Sequence, residues 1–251
     1  CLAGGVALNA VANGMIRAQT PFDEVYVQPA AGDSGTAVGA AFRVWHETLG
    51  RPRSFVMRHA CTGPEFSDDT YVEALGAVGL ASELYTDAEL FAVVAERIAA
   101  GDVVGWFQGR MEFGPRALGA LSILASPTDP VMVTRLNLLK DREDYRPVAP
   151  AVLEESAADY FEGAQPSPFM LFVYDVRPEV VDRVPAIRHV DGTARIQTVN
   201  AAQAPLFHDL ITRFRNRTGV PVVVNTSFNT RSHPIVCTPQ DALECFYTDR
   251  K

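Results

Sequence analysis

Residues 204–229 read APLFHDLITRFRNRTGVPVVVNTSFN, and they limit the fold more than any other stretch. Leu206, Phe207, Leu210, Ile211 and Phe214 recur at helical spacing, so an amphipathic helix is expected over 204–219. Arg213, Arg215 and Arg217 gather at its C-terminal end, where cations meet the negative pole of the helix dipole. Gly219 ends the helix. Pro221, Val222, Val223 and Val224 then form a β-branched run with the character of a buried strand. A helix that turns at once into a buried strand belongs in an α/β sheet. Ligands of such sheets sit just past strand ends. The turn Asn225-Thr226-Ser227-Phe228-Asn229 is therefore a candidate site, with a purely structural Asx turn as the alternative.

The second constraint is charge. The chain has 251 residues and a net charge of −8. Yet residues 109–150 hold Arg110, Arg116, Arg135, Lys140, Arg142 and Arg146, punctuated by Gly109, Gly114, Pro115, Gly119, Pro147 and Pro150. An acidic chain that concentrates cations around tight turns is set up to clamp an anion. The alternative is a solvated basic surface. Lys140 favours the clamp: the only other lysine is Lys251, and a compact ammonium suits a point contact with a phosphate oxygen.

The acidic balance argues against broad nucleic-acid or anionic-membrane binding. No apolar run approaches the roughly 18 residues of a membrane span. The first twenty residues lack the basic start and apolar core of a signal peptide. Cys1, Cys61, Cys237 and Cys245 are too sparse for a disulfide framework, so a reducing cytoplasm is expected. His59 and Cys61 stand too isolated for a metal pair. The start at Cys1, without Met, suggests a piece of a longer protein.

Upstream, Gly4-Gly5 leads into a helical pattern through Val6, Leu8, Val11 and Ile16, with Asn9 and Asn13 on one face. A Gly-Gly turn feeding a helix can offer backbone N–H groups to an anion, or can simply be tight. Val25, Tyr26 and Val27 look strand-like. A small-residue helix is expected from about Ala37 to Leu49. Asp33, between Gly32 and Gly35, fits either the N-cap of that helix or a ligand to a metal or nucleotide phosphate. Residues 51–70 read as a linker. A helix near Asp87 with Leu90, Phe91, Val94 and Ile98 on one face precedes a strand at 103–107. Further strands are expected at 151–153 and 169–174, with an acidic helix between them at 154–161. Asp191-Gly192 signals a hairpin-like turn, which puts Arg195 on the second strand, facing solvent or a pocket. His189, just before that turn, reads as structural. Thr238 and Pro239 are placed as N-cap and first residue of a final helix.

Six segments, CLAGGVALN, QPAAGDSGTAVGAA, WFQGRMEFGPRALG, LKDREDYRPVAP, HVDGTARIQTV and GVPVVVNTSFN, resemble in that order the ATP-dependent O-carbamoyltransferases of antibiotic tailoring and nodulation-factor synthesis. The resemblance spans nearly the whole chain. It implies the C-terminal part of an actin-like (ASKHA, Kae1-like) ATPase domain at 1–58, a linker and connecting helix at 59–87, and a YrdC-like twisted α/β sheet domain at 88–251. It implies that the second domain makes carbamoyl-adenylate from carbamoyl phosphate and ATP with Mg2+. The first would pass the carbamoyl group to a hydroxyl of an antibiotic or glycolipid-like acceptor, assisted by iron (Fe2+) or another divalent metal.

Arg116, Lys140, Arg146 and Arg195 match the family's catalytic contacts to phosphate and carbamoyl-adenylate. Asn225 and Ser227 match its nucleotide-side contacts, Gly4, Gly5 and Asn9 the nucleotide region of the first domain, and Asp33 its metal-binding carboxylate. The family's paired metal-binding histidines would lie in a missing N-terminal half. Two positions depart from the family pattern: Ala120-Leu121 after RALG, and Ser232-His233 after NTSFN. They keep open an inactive nucleotide-binding homologue, beside the reading that the carbamoyl acceptor is a protein or tRNA.

Overall fold

The structure is a computed structural model and describes residues 1–231 and 233–248. Ser232 of the departing pair and the terminal Lys251 lie outside the described residues. Among the described residues seven strands and eight α-helices follow in chain order. The strands are β1 (Val104–Phe107), β2 (Leu121–Ala125), β3 (Ala149–Leu153), β4 (Val173–Asp175), β5 (Thr193–Arg195), β6 (Gln197–Val199) and β7 (Val222–Ser227). The helices are α1 (Ala10–Gln19), α2 (Gly35–Arg43), α3 (Asp68–Ala77), α4 (Asp87–Ala99), α5 (Met132–Leu139), α6 (Ala157–Tyr160), α7 (Pro205–Thr218) and α8 (Pro239–Thr248).

A five-stranded mixed sheet has the order β1-β2-β7-β3-β6. The valine run lies at its centre: β7 is antiparallel to β2 on one side and to β3 on the other, with Val222, Val223, Val224 and Asn225 all buried. β6 adds in parallel to β3. Helices α4 and α7 pack against each other and the sheet. Phe91, Val94 and Ile98 of α4 meet a core that includes Phe207, Leu210, Ile211 and Phe214 of α7. Removing these side chains from water stabilises the domain by roughly 1.5–3 kcal/mol each. Thr86 and Glu89 close a capping box at the start of α4. Gly219 ends α7 at φ 75°, a left-handed conformation that costs glycine little.

Several expectations change. The strand at 103–107 is an edge, with Trp106 alone of its residues buried. The acidic helix breaks into a 3-10 turn at Glu154–Ser156 and the short α6. The strand expected at 169–174 forms only as β4. No hairpin spans Asp191-Gly192. A turn does form there, with the Thr193 N–H donating to Asp191 Oδ1 at 3.0 Å, but β5 pairs with β4 instead of with residues 188–190. Val25, Tyr26 and Val27 supply one isolated bridge, Leu2 to Val27. Asn9 is the N-cap of α1 and not a member of its face: its side chain accepts from the Val11 and Ala12 N–H groups at 3.1 Å each. Asp33 does not cap α2. Ser34 holds the cap position without a side-chain bond, and the Asp33 carbonyl accepts from Thr36 Oγ1 at 2.6 Å.

The N-terminal segment is tied to the sheet domain through α1. Buried Asn13 donates to the Ala7 and Leu171 carbonyls at 2.8 and 2.9 Å, and Arg17 donates to Tyr174 Oη at 2.6 Å. Gly14 allows the close approach, since a Cβ there would stand 3.1 Å from Val173 Cγ2 and 3.2 Å from its carbonyl oxygen. This contact sets the N-terminus of α1 over the β4–β5 ribbon, where the cleft described next is found. No described helix is long and apolar enough to cross a membrane.

Candidate functional site

A cavity of about 480 Å³ opens between the start of α1, the β4–β5 ribbon and the approach to β3. Leu8, Asn9, Ala10 and Val11 form one wall. Val148, Ala149 and Val173 supply apolar floor, and Arg116, Arg142, Arg146, Arg195 and His189 supply the polar groups. No Asp or Glu lines it.

Each cation arrives by a different route. Arg116 sits on the Gly- and Pro-rich loop between β1 and β2. That loop is gathered around buried Glu112, whose carboxylate accepts from the backbone N–H groups of Leu118 (2.7 Å), Ala120 (3.0 Å) and Leu121 (3.3 Å). Arg116 donates to the Leu8 carbonyl at 3.2 Å, which joins the loop to the N-terminal segment. Arg195 ends β5 opposite Val173. Arg142, after α5, donates to Asn137 Oδ1 at 2.5 Å. Arg146 donates to Glu143 at 2.6 Å and is exposed, so it reaches the cleft with its own counter-ion.

Arg116, Arg142 and Arg195 have none. Among the described residues no ion pair forms to any of them. Arg116 Nε, Arg142 Nη2 and Arg195 Nε are enclosed without a hydrogen-bond acceptor. Burial, then the Arg116 and Arg142 charges, push the Arg195 guanidinium down to about 9. Burial also lowers the Arg116 and Arg142 pKa values. A buried N–H without an acceptor costs about 1–3 kcal/mol, and more on a charged group. Three convergent guanidiniums with enclosed, unused donors are arranged for a multiply charged anion.

Of the four cations expected to act together, Arg116 and Arg195 meet, and Arg146 joins them at the edge. Lys140 does not line this cleft. Its buried ammonium donates to the Ser227 and Asn229 carbonyls at 2.5 and 2.8 Å and to Asn229 Oδ1 at 2.9 Å. It therefore fastens the turn after β7. Arg142 lines the cleft as well. Arg110 and Arg135 are exposed and donate to the Gly63 and Gly101 carbonyls, away from the cleft.

Asn225 is buried behind the Arg116 loop, donating to Gln197 Oε1 at 2.8 Å and to the Ala117 carbonyl at 3.3 Å. Its Oδ1 has no partner. Ser227 donates to Asn229 Oδ1 at 2.6 Å and is not part of the cleft lining. Of the two departures from the family pattern, Leu121 opens the buried strand β2, and His233 Nδ1 lies 2.8 Å from Thr230 Oγ1 in a separate, smaller cavity. Neither lines the arginine cleft.

Gly4 and Asp33 line a second, more apolar cavity of about 660 Å³ with Tyr26, Phe42 and Phe55. Gly4 has φ 96° and leaves open space where a Cβ would stand; Gly5 is likewise open and begins a 3-10 turn. Asn9 is at the arginine cleft instead and Gly5 lines neither cavity, so the three residues expected to hold one nucleotide do not share a site. Asp33 is exposed, and no group of three His, Cys, Asp or Glu side chains able to hold a metal ion occurs among the described residues. One carboxylate is too few donors for iron or another divalent ion.

An arginine-lined cleft without a lining carboxylate has the donor set that phosphate-type anions require. The chain belongs to the carbamoyltransferase family: its residues 95–250 match the carbamoyltransferase C-terminus and its residues 1–42 the carbamoyltransferase N-terminus. A protein of Synechocystis sp. is 47% identical over 98% of this chain and 44% of its own length. Nodulation protein NolO of Bradyrhizobium diazoefficiens is 44% identical over 99% of this chain and 46% of its own. The chain thus spans less than half the length of these relatives. Among solved structures, P. abyssi Sua5 complexed with L-threonine aligns over 67% of this chain and 47% of its own at 14% identity and TM-score 0.47, a likeness too loose to carry weight.

Proposed function

We propose that this chain performs the activating half of a carbamoyl transfer. Carbamoyl phosphate, ATP and water give carbamoyl-adenylate, phosphate and pyrophosphate, and the carbamoyl group then passes to a hydroxyl of a small-molecule acceptor. Membership of the carbamoyltransferase family supports the reaction class. The observation that carries the reading is the half-buried trio Arg116, Arg142 and Arg195, lining one cleft with enclosed, unpartnered nitrogens and no carboxylate in the lining. A phosphate or anhydride in the cleft supplies the missing acceptors. The fixed guanidiniums then stabilise charge as pyrophosphate leaves, at no reorganisation cost during the reaction.

In this reading residues 88–251 are the adenylate-forming, YrdC-like unit and residues 1–58 belong to an actin-like transfer unit, with 59–87 connecting them. The Arg116 bond to the Leu8 carbonyl and the Asn13 bonds support a channel between the two, because the N-terminal segment walls the same cleft. Leu121 and His233 are not in the cleft lining, which favours the active reading over an inactive homologue.

The test is release of pyrophosphate from ATP with and without carbamoyl phosphate, on this chain and on the full-length protein. Release that requires carbamoyl phosphate is expected. Release of the same rate without it, or none from the full-length protein, would contradict the assignment.

A further inference from the structure

The cleft offers donors almost everywhere, yet carbamoyl phosphate is distinguished from other acyl phosphates by an NH2 group, which needs an acceptor. Asn9 Oδ1 is occupied in capping α1. The Leu8 carbonyl is engaged by Arg116. That leaves His189 as the lining side chain with acceptor capacity.

The His189 tautomer follows from its neighbours. Thr193 Oγ1 donates its one proton to Asp191 Oδ1 at 2.8 Å, because a carboxylate only accepts. His189 Nδ1 lies 3.1 Å from the same oxygen and must therefore donate to it. The proton is on Nδ1, and Nε2 keeps its lone pair. The turn fixes this arrangement, with the His189 N–H on the Thr193 carbonyl at 2.7 Å and the Gly192 N–H on the His189 carbonyl at 3.0 Å. Burial, aided by the Arg195 charge and opposed by Asp191, lowers the ring's pKa and keeps it neutral.

We infer that His189 is the specificity-determining residue of the cleft: through the Asp191–Thr193–His189 relay it presents a bare Nε2 that accepts a hydrogen bond from the carbamoyl NH2, while the arginines hold the phosphate. This rests on the reading of the cleft as the carbamoyl phosphate site. A single such bond is worth about tenfold in affinity.

Calorimetric titrations with carbamoyl phosphate and with acetyl phosphate, which carries CH3 in place of NH2, read the effect. The wild-type chain is expected to prefer carbamoyl phosphate by about tenfold. In His189→Phe the ratio falls to about one while acetyl phosphate binds within about twofold of wild type, a pattern that general loosening of the site would not give. Thr193→Val, which frees the tautomer, lowers the ratio in the same direction and serves if His189→Phe does not fold. Equal binding of the two anions by wild type, or a preference that survives both substitutions, overturns the inference and leaves the anion site standing. Binding of neither anion by wild type overturns the inference together with the carbamoyl phosphate reading.

Discussion

Replacing Arg195 with methionine lowers carbamoyl-phosphate-dependent pyrophosphate release by about 10²–10³-fold, the usual loss on removing one fixed charge-stabilising donor. It also leaves the protein at least as stable as wild type. The second half of the prediction is the more diagnostic. A residue that serves the fold loses stability when it is truncated, whereas Arg195 has no ion pair among the described residues, an unsatisfied Nε, and a pKa pressed down to about 9 by burial and two neighbouring arginines. Its charge is a cost to the folded state that a bound anion offsets. Methionine is unbranched and apolar, so it keeps the place opposite Val173 in the β4–β5 pair without the charge. Thermal denaturation beside the pyrophosphate assay checks both halves. Full turnover in Arg195→Met would remove the residue from the mechanism, and a large fall in melting temperature would make it structural.

Glu112 gives the opposite signature. Glu112→Ala strands three backbone N–H groups, those of Leu118, Ala120 and Leu121, and is expected to cost about 4 kcal/mol in all. At roughly 2–4 °C per kcal/mol for a chain of this size, the melting temperature drops by about 10 °C. Activity falls with it, because the same loop carries Arg116. The pH dependence has a definite sign. Burial raises the Glu112 carboxyl from 4.5 to about 7, against the three N–H bonds that favour its charged form. The folded state therefore holds a proton that the unfolded chain has lost. Glu112 stabilises most below pH 4.5, and this contribution declines as pH rises from 4.5 through about 7. Glu112→Gln, which cannot titrate, flattens stability across that window relative to wild type. Melting curves at several pH values check this, and parallel curves for the two proteins would contradict it.

How much of this could be read from residues alone depends on where the information resides. The α7–Gly219–β7 unit was legible because helical spacing, a glycine stop and a β-branched run are local signals. β2 was not, since LSILA is buried on both faces and shows no alternation. The turn at Asp191 was legible but its strand pairing was not: β5 finds β4, about twenty residues upstream, and nothing local specifies that partner. Composition located the cations, and the fold sorted them. Arg116 and Arg195 are 79 positions apart and converge; Lys140, chosen for its rarity, is claimed by carbonyls of the turn after β7. Alternation alone leaves Arg195 between solvent and pocket; pairing with β4 sets it opposite Val173, and both line the cleft. Glu112 was not legible, because it matters through the backbone N–H groups of Leu118, Ala120 and Leu121, and only the folded loop brings these to its carboxylate.

The most direct test of the arginine cleft as the reactive anion site is diffraction from crystals soaked in inorganic phosphate. The account predicts a tetrahedral anion with oxygens about 2.7–2.9 Å from guanidinium nitrogens of Arg116, Arg142 and Arg195, the distance of charge-assisted bonds. Phosphate bound elsewhere, with the three guanidiniums still unpartnered in an accessible cleft, would contradict it.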